Sequence, residues 1–450
     1  MGKYFGTDGF RGEANCDLTV DHAFKIGRYI GNYYHSKAHR ARVVIGKDTR
    51  RSSYMFEYSL CAGLTASGAD AYLLHVTSTP SVSYVVRSDD FDCGIMITAS
   101  HNPFYDNGIK LINSKGEKMD EGFISGLEDY LDSNEVLPYA VRDEIGCTID
   151  YAAGRNRYIG YLISLATRSY KNFRVGLDCA NGSTWQMAKS VFDALGADTY
   201  VIGNHPDGLN VNVDCGSTHI ENLQNFVKNN HLDIGFAFDG DADRCIAVDE
   251  NGDVVNGDKI MYICAKHMQE KGQMGQSKVV TTIMSNMGLY KALDNLGIGY
   301  EKTKVGDKYV AENMREYGHL IGGEQSGHII FGRLANTGDG ILTAIKVMEA
   351  VTESKESLSV LASGMTTFPQ TLKNVVVKEK EQTLNDPVVK KAVEKAEKEM
   401  GDYGRVVLRA SGTEPLLRVM VEANEQSVAD DKVNDIISAI EKCGQLIKVK

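Results

Sequence analysis

The sequence predicts an α/β protein: three similar α/β domains with mixed or parallel sheets, followed by a smaller C-terminal α+β domain. Two observations predict it. One pattern recurs three times along the chain, and the character of the sequence changes after about residue 365.

The first copy is "RVVIGKDTRRSSYMFEYSLCAGLTASGADAYLL", the second "FRVGLDCANGSTWQMAKSVFDALGADTYVI" and the third "KVVTTIMSNMGLYKALDNLGIGYEKT", beginning near residues 42, 173 and 278. Each opens on a β-branched run, crosses a polar loop containing Ser, continues with apolar residues at helical spacing, stops at a glycine and enters another apolar run. That is a β-α-β unit, and parallel strands need such crossover helices. The spacing is too long and irregular for a solenoid, and places domains at 1–150, 151–255 and 256–365. The fourth domain, 366–450, holds a strand in "FPQTLKNVVV", a charged helix in "DPVVKKAVEKAEKEM", strands in "RVVLRAS" and "LLRVMVEA", and a final helix in "SVADDKVNDIISAIEKC".

Composition excludes several classes of function. A formal net charge of −11 argues against nucleic acid, which needs a basic face to displace counterions. Apolar runs end well before the ~18–20 residues that span a bilayer, and no apolar signal core follows Met1, so neither membrane nor export is expected. Gly6 stands where myristoylation after Met1-Gly2 needs Ser or Thr. Nine cysteines without a CxxC pair read as reduced packing residues, which places the chain in the cytoplasm.

Four segments carry chemistry. In "DIGFAFDGDADRCIAVDENG", Asp239, Asp241 and Asp243 alternate after an apolar run, and carboxylates so close repel unless a cation neutralises them. Three hard oxygen ligands leave room for water or a phosphate oxygen, which suits Mg²⁺. An EF-hand fails because Arg244 stands where its loop needs Gly, and "CIAV" reads as a strand. "RASGTEP", Arg409 to Pro415, joins a cation, two hydroxyls and a glycine on a turn, as a phosphate site or an ordinary hairpin would. "GGEQSGHII" packs short polar side chains between glycines, either to read sugar hydroxyls or simply to turn. In "TASHNPFYDNGIK", Ser100 and Lys110 flank one loop. Ala99 and Asn102 do not fit the GxSxG elbow of a serine hydrolase.

Together with "FGTDGFRG" (Phe5 to Gly12), "TKVGDKYV" and "RASGTEPLLRVMVE", these segments in this order resemble the α-D-phosphohexomutase family over essentially the whole chain. The resemblance implies three α/β domains around a central cleft, with a more mobile fourth domain. It implies that Ser100 is carried as phosphoserine, so that a phosphoryl oxygen joins Asp239, Asp241 and Asp243 around Mg²⁺. It makes Lys110 the leading general acid/base and puts His101 and Arg11 near the phosphoserine. Glu324 and Ser326 would hold sugar hydroxyls, with His328, Arg244 and Lys304 as further substrate contacts. Arg409, Ser411, Gly412, Thr413 and Arg418 would grip the phosphate that is not reacting.

Gln325 stands where the mannose and glucose branches usually carry an apolar residue. It suggests reversible conversion of glucosamine 6-phosphate to glucosamine 1-phosphate through glucosamine 1,6-bisphosphate, with glucose 1,6-bisphosphate as an alternative activator. That reaction supplies amino-sugar nucleotides and wall precursors, and its partner is a small sugar phosphate. The competing readings are a mannose, glucose or N-acetylglucosamine phosphate mutase, a sugar phosphatase and a non-catalytic sensor; a homodimer is the assembly considered. Ala242 departs from the usual glycine of the metal loop, Phe10 from Ile and Ala410 from Lys.

Overall fold

The structure is a computed structural model that describes residues 2–35, 39–411 and 416–449. The chain divides into two compact units, one of Met1–Thr282 with Thr303–Ala362 and one of Ile283–Lys302 with Ser363–Lys450. The architecture is that of mixed α/β sheets in the first unit and an antiparallel α+β sheet in the second.

In the first unit, a seven-stranded sheet runs in the order Phe5–Gly6, Gly9–Glu13, Asp106–Asn113, Cys93–Ile97, Arg42–Lys47, Asp70–Val76, Thr148–Asp150. Its last four strands are parallel to one another. The other joints are antiparallel. Val43, Val44 and Ile45 are wholly buried, as a parallel strand covered on both faces requires. The first β-α-β copy is therefore observed as strand Arg42–Lys47, helix Arg51–Ala66 and strand Asp70–Val76.

A second sheet orders Val254–Val255, Cys245–Asp249, Ile234–Phe238, Arg174–Asp178 and Asp198–Ile202. Strands 234–238 and 245–249 form an antiparallel hairpin closed at Phe238 opposite Cys245, so residues 239–244 are its loop. The strand that ruled out an EF-hand is thus present. A third sheet sets Val279–Thr282 parallel to Ile321–Gly323, which pairs antiparallel with Ile329–Phe331 and leaves residues 324–328 as another loop.

In the second unit, the strands run Gly404–Ala410, Leu416–Ala423, Gln370–Val377, Leu446–Val449, all antiparallel. Helices Pro387–Met400 and Gln426–Lys442 cover a core that includes Val375, Leu417, Val419, Val433 and Ile436. Residues 283–302 belong here too: Met287 N–H donates to Glu422 at 2.9 Å and Asn286 Nδ2 to Phe368 O at 3.0 Å. Strand Leu446–Val449 and helix Lys380–Asn385 were not legible in the sequence. No helix among the described residues is long and apolar enough to cross a membrane.

Candidate active site

Ser100 follows the buried strand Cys93–Ile97 and sits in the left-handed backbone region at φ 51°, 1% exposed. A non-glycine residue stays there only if its surroundings hold it. Two donors do so. Arg50 Nη2 reaches the carbonyls of Ser100 at 3.1 Å and Asn102 at 2.6 Å, and Asn212 Nδ2 reaches the same carbonyls at 2.9 and 3.2 Å. Arg50 is wholly buried and ion-paired to Asp48, which also accepts from the Thr98 hydroxyl at 2.7 Å. The Ser100 hydroxyl is left aimed at Asp239 and donates to its Oδ2 at 2.5 Å.

Asp239, Asp241 and Asp243 are 0%, 0% and 6% exposed, and one oxygen from each lies within 4.8 Å of the others. Gly240 is needed between them, because a Cβ there would stand 2.5 Å from Ser100 O. Ala242 adopts φ 57°, the left-handed conformation that a glycine would take without strain. Lys110, on strand Asp106–Asn113, donates to Asp241 Oδ2 at 2.6 Å and Asp243 Oδ2 at 3.0 Å, and the Thr79 hydroxyl donates to Asp241. Burial, and then the two neighbouring carboxylates, push Asp239 up to about 7. Burial opposes the charge on Lys110, but Asp241 and Asp243 outweigh it and raise its pKa, so it is held as an ammonium.

Oδ1 of Asp241 and Oδ1 of Asp243 are buried without a hydrogen-bond partner. Three buried hard carboxylates with idle oxygens fit Mg²⁺, and the Ser100 hydroxyl points at one of them.

His101 Nδ1 lies 3.3 Å from Ser100 Oγ and 3.0 Å from Arg244 Nη1. A guanidinium only donates, so Nδ1 accepts and the ring proton is on Nε2. Burial, then Arg244 and Arg11, lower His101 to about 4, which keeps it neutral. His101 is therefore not the base of Ser100, whose proton goes to Asp239. Arg11, on strand Gly9–Glu13, has its Nη2 3.6 Å from Asp8 and a buried Nε without a hydrogen-bond partner.

The remaining expected contacts divide. Arg244, Gln325 and Ser326 line one cavity of about 400 Å³, together with Ser217, Thr218 and Asn256. Those last three were not legible in the sequence, since nothing in "CGSTHI" or "VVNGDK" distinguishes them from ordinary turns. Glu324 accepts from Gly306 N–H at 3.2 Å, and burial raises its pKa. Lys304 sits on the same turn with its ammonium 5.9 Å from the Tyr309 ring centroid.

His328 is buried and faces the acidic loop instead, 3.7 Å from both Asp243 and Asp307. Burial lowers its basicity, but the carboxylates outweigh it and push His328 up to about 9. Gly338 N–H nevertheless donates to its Nε2 at 3.0 Å, which needs a lone pair there. That hydrogen bond fixes the neutral ring, with its proton on Nδ1 toward Asp243.

In the second unit, Arg409 and Arg418 are directly opposite on adjacent antiparallel strands. Each has a buried Nε without a hydrogen-bond partner, and burial, then Arg418, lowers Arg409. Two like charges so placed repel each other, and an anion between them would relieve the repulsion. Ser411 is buried beside them, and its carbonyl accepts from Lys380 at 3.0 Å, a cation the sequence reading missed. Gly412 and Thr413 lie outside the described residues.

Residues 2–137, 156–252, 256–368 and 372–439 match, respectively, phosphoglucomutase/phosphomannomutase alpha/beta/alpha domains I, II and III and the C-terminal domain. A phosphoglucosamine mutase of Lachnospira eligens is 62% identical over 99% of this chain and 100% of its own. Among solved structures, a phosphoglucomutase/phosphomannomutase family protein of Burkholderia thailandensis has a TM-score of 0.82 at 23% identity, covering 99% of this chain and 98% of the other. An Aspergillus fumigatus N-acetylphosphoglucosamine mutase in complex with GlcNAc-6P and magnesium has a TM-score of 0.67 at 19% identity, covering 98% and 96%.

Proposed function

The chain belongs to the phosphoglucomutase/phosphomannomutase family, and from that premise we propose how it works as an isomerase that interconverts glucosamine 6-phosphate and glucosamine 1-phosphate. The observation that carries the reading is the Ser100 hydroxyl, 2.5 Å from Asp239 within a buried triad of carboxylates.

Ser100 in its phosphorylated form gives its phosphoryl group to the C1 hydroxyl of glucosamine 6-phosphate. The Ser–O–P bond breaks, the sugar–O–P bond forms, and the product is glucosamine 1,6-bisphosphate. The bisphosphate turns over, its 6-phosphoryl group returns to Ser100, and glucosamine 1-phosphate is released. Asp239, Asp241 and Asp243 would hold Mg²⁺, which when bound would supply charge neutralisation at the phosphoryl oxygens. Arg50 and Asn212 hold the serine in line. Lys110, held as an ammonium by Asp241 and Asp243, acts as the general acid that protonates the oxygen the phosphoryl group leaves. Arg244, Gln325 and Ser326 orient the sugar, and Arg409 and Arg418 grip the idle phosphate.

The arginine pair supports transfer to sugar over hydrolysis, because a phosphatase gains little from regripping a turned intermediate. The cytoplasm suits a chain whose nine cysteines are free thiols. Assaying the 1- and 6-phosphates of glucosamine, N-acetylglucosamine, glucose and mannose with Mg²⁺ and a bisphosphate activator tests the substrate. Glucosamine phosphates should turn over fastest; faster turnover of mannose or glucose phosphates rejects that choice, and stoichiometric release of inorganic phosphate rejects a mutase.

A further inference from the structure

The acidic loop is held from outside by three segments. The carbonyls of Gly240, Asp241 and Ala242 accept, in turn, from Ser183 N–H at 2.8 Å, Thr79 N–H at 3.0 Å and Gly340 N–H at 2.9 Å. Two of those donors open helices: Thr79 is the first residue of Thr79–Ser88, and Gly340 the first of Gly340–Ser354. An opening N–H has no partner within its own helix, so it is free to bond the loop. Gly340 must be glycine, since a Cβ there would stand 2.4 Å from Arg244 O.

Each of these helices is capped by the residue before it. The Ser78 side chain accepts from Ser81 N–H at 3.3 Å, and Asp339 Oδ1 from Leu342 N–H at 3.0 Å. The seat of the cap therefore sets where the next residue's N–H points. Asp339 is 2% exposed, and its other oxygen, Oδ2, accepts from the Tyr158 hydroxyl at 2.7 Å. Burial pushes Asp339 up to about 6, against the pull of Leu342 N–H and that hydroxyl.

Tyr158, on helix Ala152–Ser164, is 1% exposed, and burial raises its pKa well above the ordinary value, so it stays a donor. Ser78 acts on the same phenol as a donor does, lowering its pKa. One buried hydroxyl thus adjoins the caps of both helices that hold the loop.

We propose that Tyr158 is a positioning residue of the metal centre: through Asp339 and Gly340, its hydroxyl fixes the Ala242 carbonyl and with it the spacing of Asp241 and Asp243 on either side. The inference rests on the reading that the three aspartates hold Mg²⁺. Without the hydroxyl, a buried carboxylate oxygen loses its donor. Asp339 then shifts toward another donor and takes Gly340 N–H with it.

Tyr158→Phe removes only that hydroxyl. Tyr161→Phe is its control, because Tyr161 on the same helix donates to Leu334 O at 2.8 Å, a bond of the same kind that ends on neither cap. Mn²⁺ serves as the probe, its free ion counted by electron paramagnetic resonance, beside turnover of glucosamine 6-phosphate against Mg²⁺ and thermal melting of the metal-free protein. The proposal expects Tyr158→Phe to weaken Mn²⁺ binding and raise the Mg²⁺ half-saturation about threefold or more, with KM for the sugar phosphate nearly unchanged, and Tyr161→Phe to move neither. Asp339→Asn, which keeps an acceptor for Leu342 N–H, is the second variant, and the double variant should bind Mn²⁺ no more weakly than the weaker single one. A lower melting temperature in Tyr158→Phe at unchanged metal affinity makes the tyrosine merely structural and overturns the proposal. An equal loss of affinity in Tyr161→Phe, or losses that add in the double variant, overturn the route through Asp339. Wild type that binds no Mn²⁺ contradicts the metal reading itself, whereas wild type that binds it with both tyrosine variants unchanged overturns the role of Tyr158 alone.

Discussion

Ala242 and Ser100 are both L-residues in a left-handed conformation that costs roughly 1–2 kcal/mol each. The strain is stored where Ser100 must present its hydroxyl and Ala242 must turn between two ligands. Ala242→Val, branched at Cβ and fully buried, should cost about 2 kcal/mol or more of stability and most of the Mg²⁺-supported turnover, read by thermal melting and a metal titration. His101 gives a pH signature. Its folded value of about 4 lies below its ordinary 6.5, so above pH 6.5 both states are neutral and it contributes nothing. Between 6.5 and 4 only the unfolded chain takes up the proton, and stability falls. Asp239, raised to about 7, works in the opposite direction over this range, so the measurement is the difference between wild type and His101→Gln in the absence of metal. The variant should lose less stability than wild type as pH drops from 6.5 to 4. Ser100 and the three aspartates were legible because alternating carboxylates beside an apolar strand demand a cation, and a cation demands a reason. Arg50 and Asn212 were not. They donate to carbonyls 50 and 112 residues away from their own positions, respectively, and only the folded chain brings such pairs together.

Elements place these residues by two devices, the end of a parallel strand and the loop of an antiparallel hairpin. The Ser100 loop is the first and the acidic loop the second, and Asn212 holds the first by its Ser100 and Asn102 carbonyls. Asn212→Ala should lower kcat about tenfold or more with KM for the sugar phosphate nearly unchanged, because it misaims the serine without touching the sugar. In the second unit, Arg409 and Arg418 oppose each other on one face of the sheet. Arg418→Gln should stabilise that unit by about 0.5 kcal/mol and yet raise KM about tenfold, a pair of opposite signs that a merely structural arginine would not give. Parallel strands such as Arg42–Lys47 were legible because burial on both faces leaves an unbroken apolar run. Strand Leu446–Val449 was not, because it is a mostly exposed edge strand that lacks the alternation of a half-buried one.

Across the first unit, the site is joined by a chain of polar contacts. Lys118 Nζ donates to Thr7 O at 2.6 Å, to Asp8 at 3.2 Å and to Asp307 at 2.7 Å; Asp307 faces His328, and His328 faces Asp243. Segments about 110 and 189 residues from Lys118 thus bear on one metal ligand. Asp307→Asn should weaken Mg²⁺ binding without altering Ser100, read as a raised Mg²⁺ requirement at constant maximal phosphorylation. The three recurring units were legible from periodicity alone, and the C-terminal change of style likewise. The grouping of residues 283–302 with the second unit was not, because it rests on contacts such as Met287 to Glu422 that no local pattern announces. The central claim is that phosphate is stored on Ser100 and passed to the sugar. Peptide mass mapping of protein treated with glucosamine 1,6-bisphosphate and Mg²⁺, run beside the mutase assay on wild type and Ser100→Ala, tests it most directly. Storage on Ser100 requires one phosphoryl group on the peptide containing Ser100, its loss on mixing with unphosphorylated sugar, and turnover in Ser100→Ala reduced at least about a thousandfold; normal turnover by Ser100→Ala, or phosphate found only elsewhere, would contradict it.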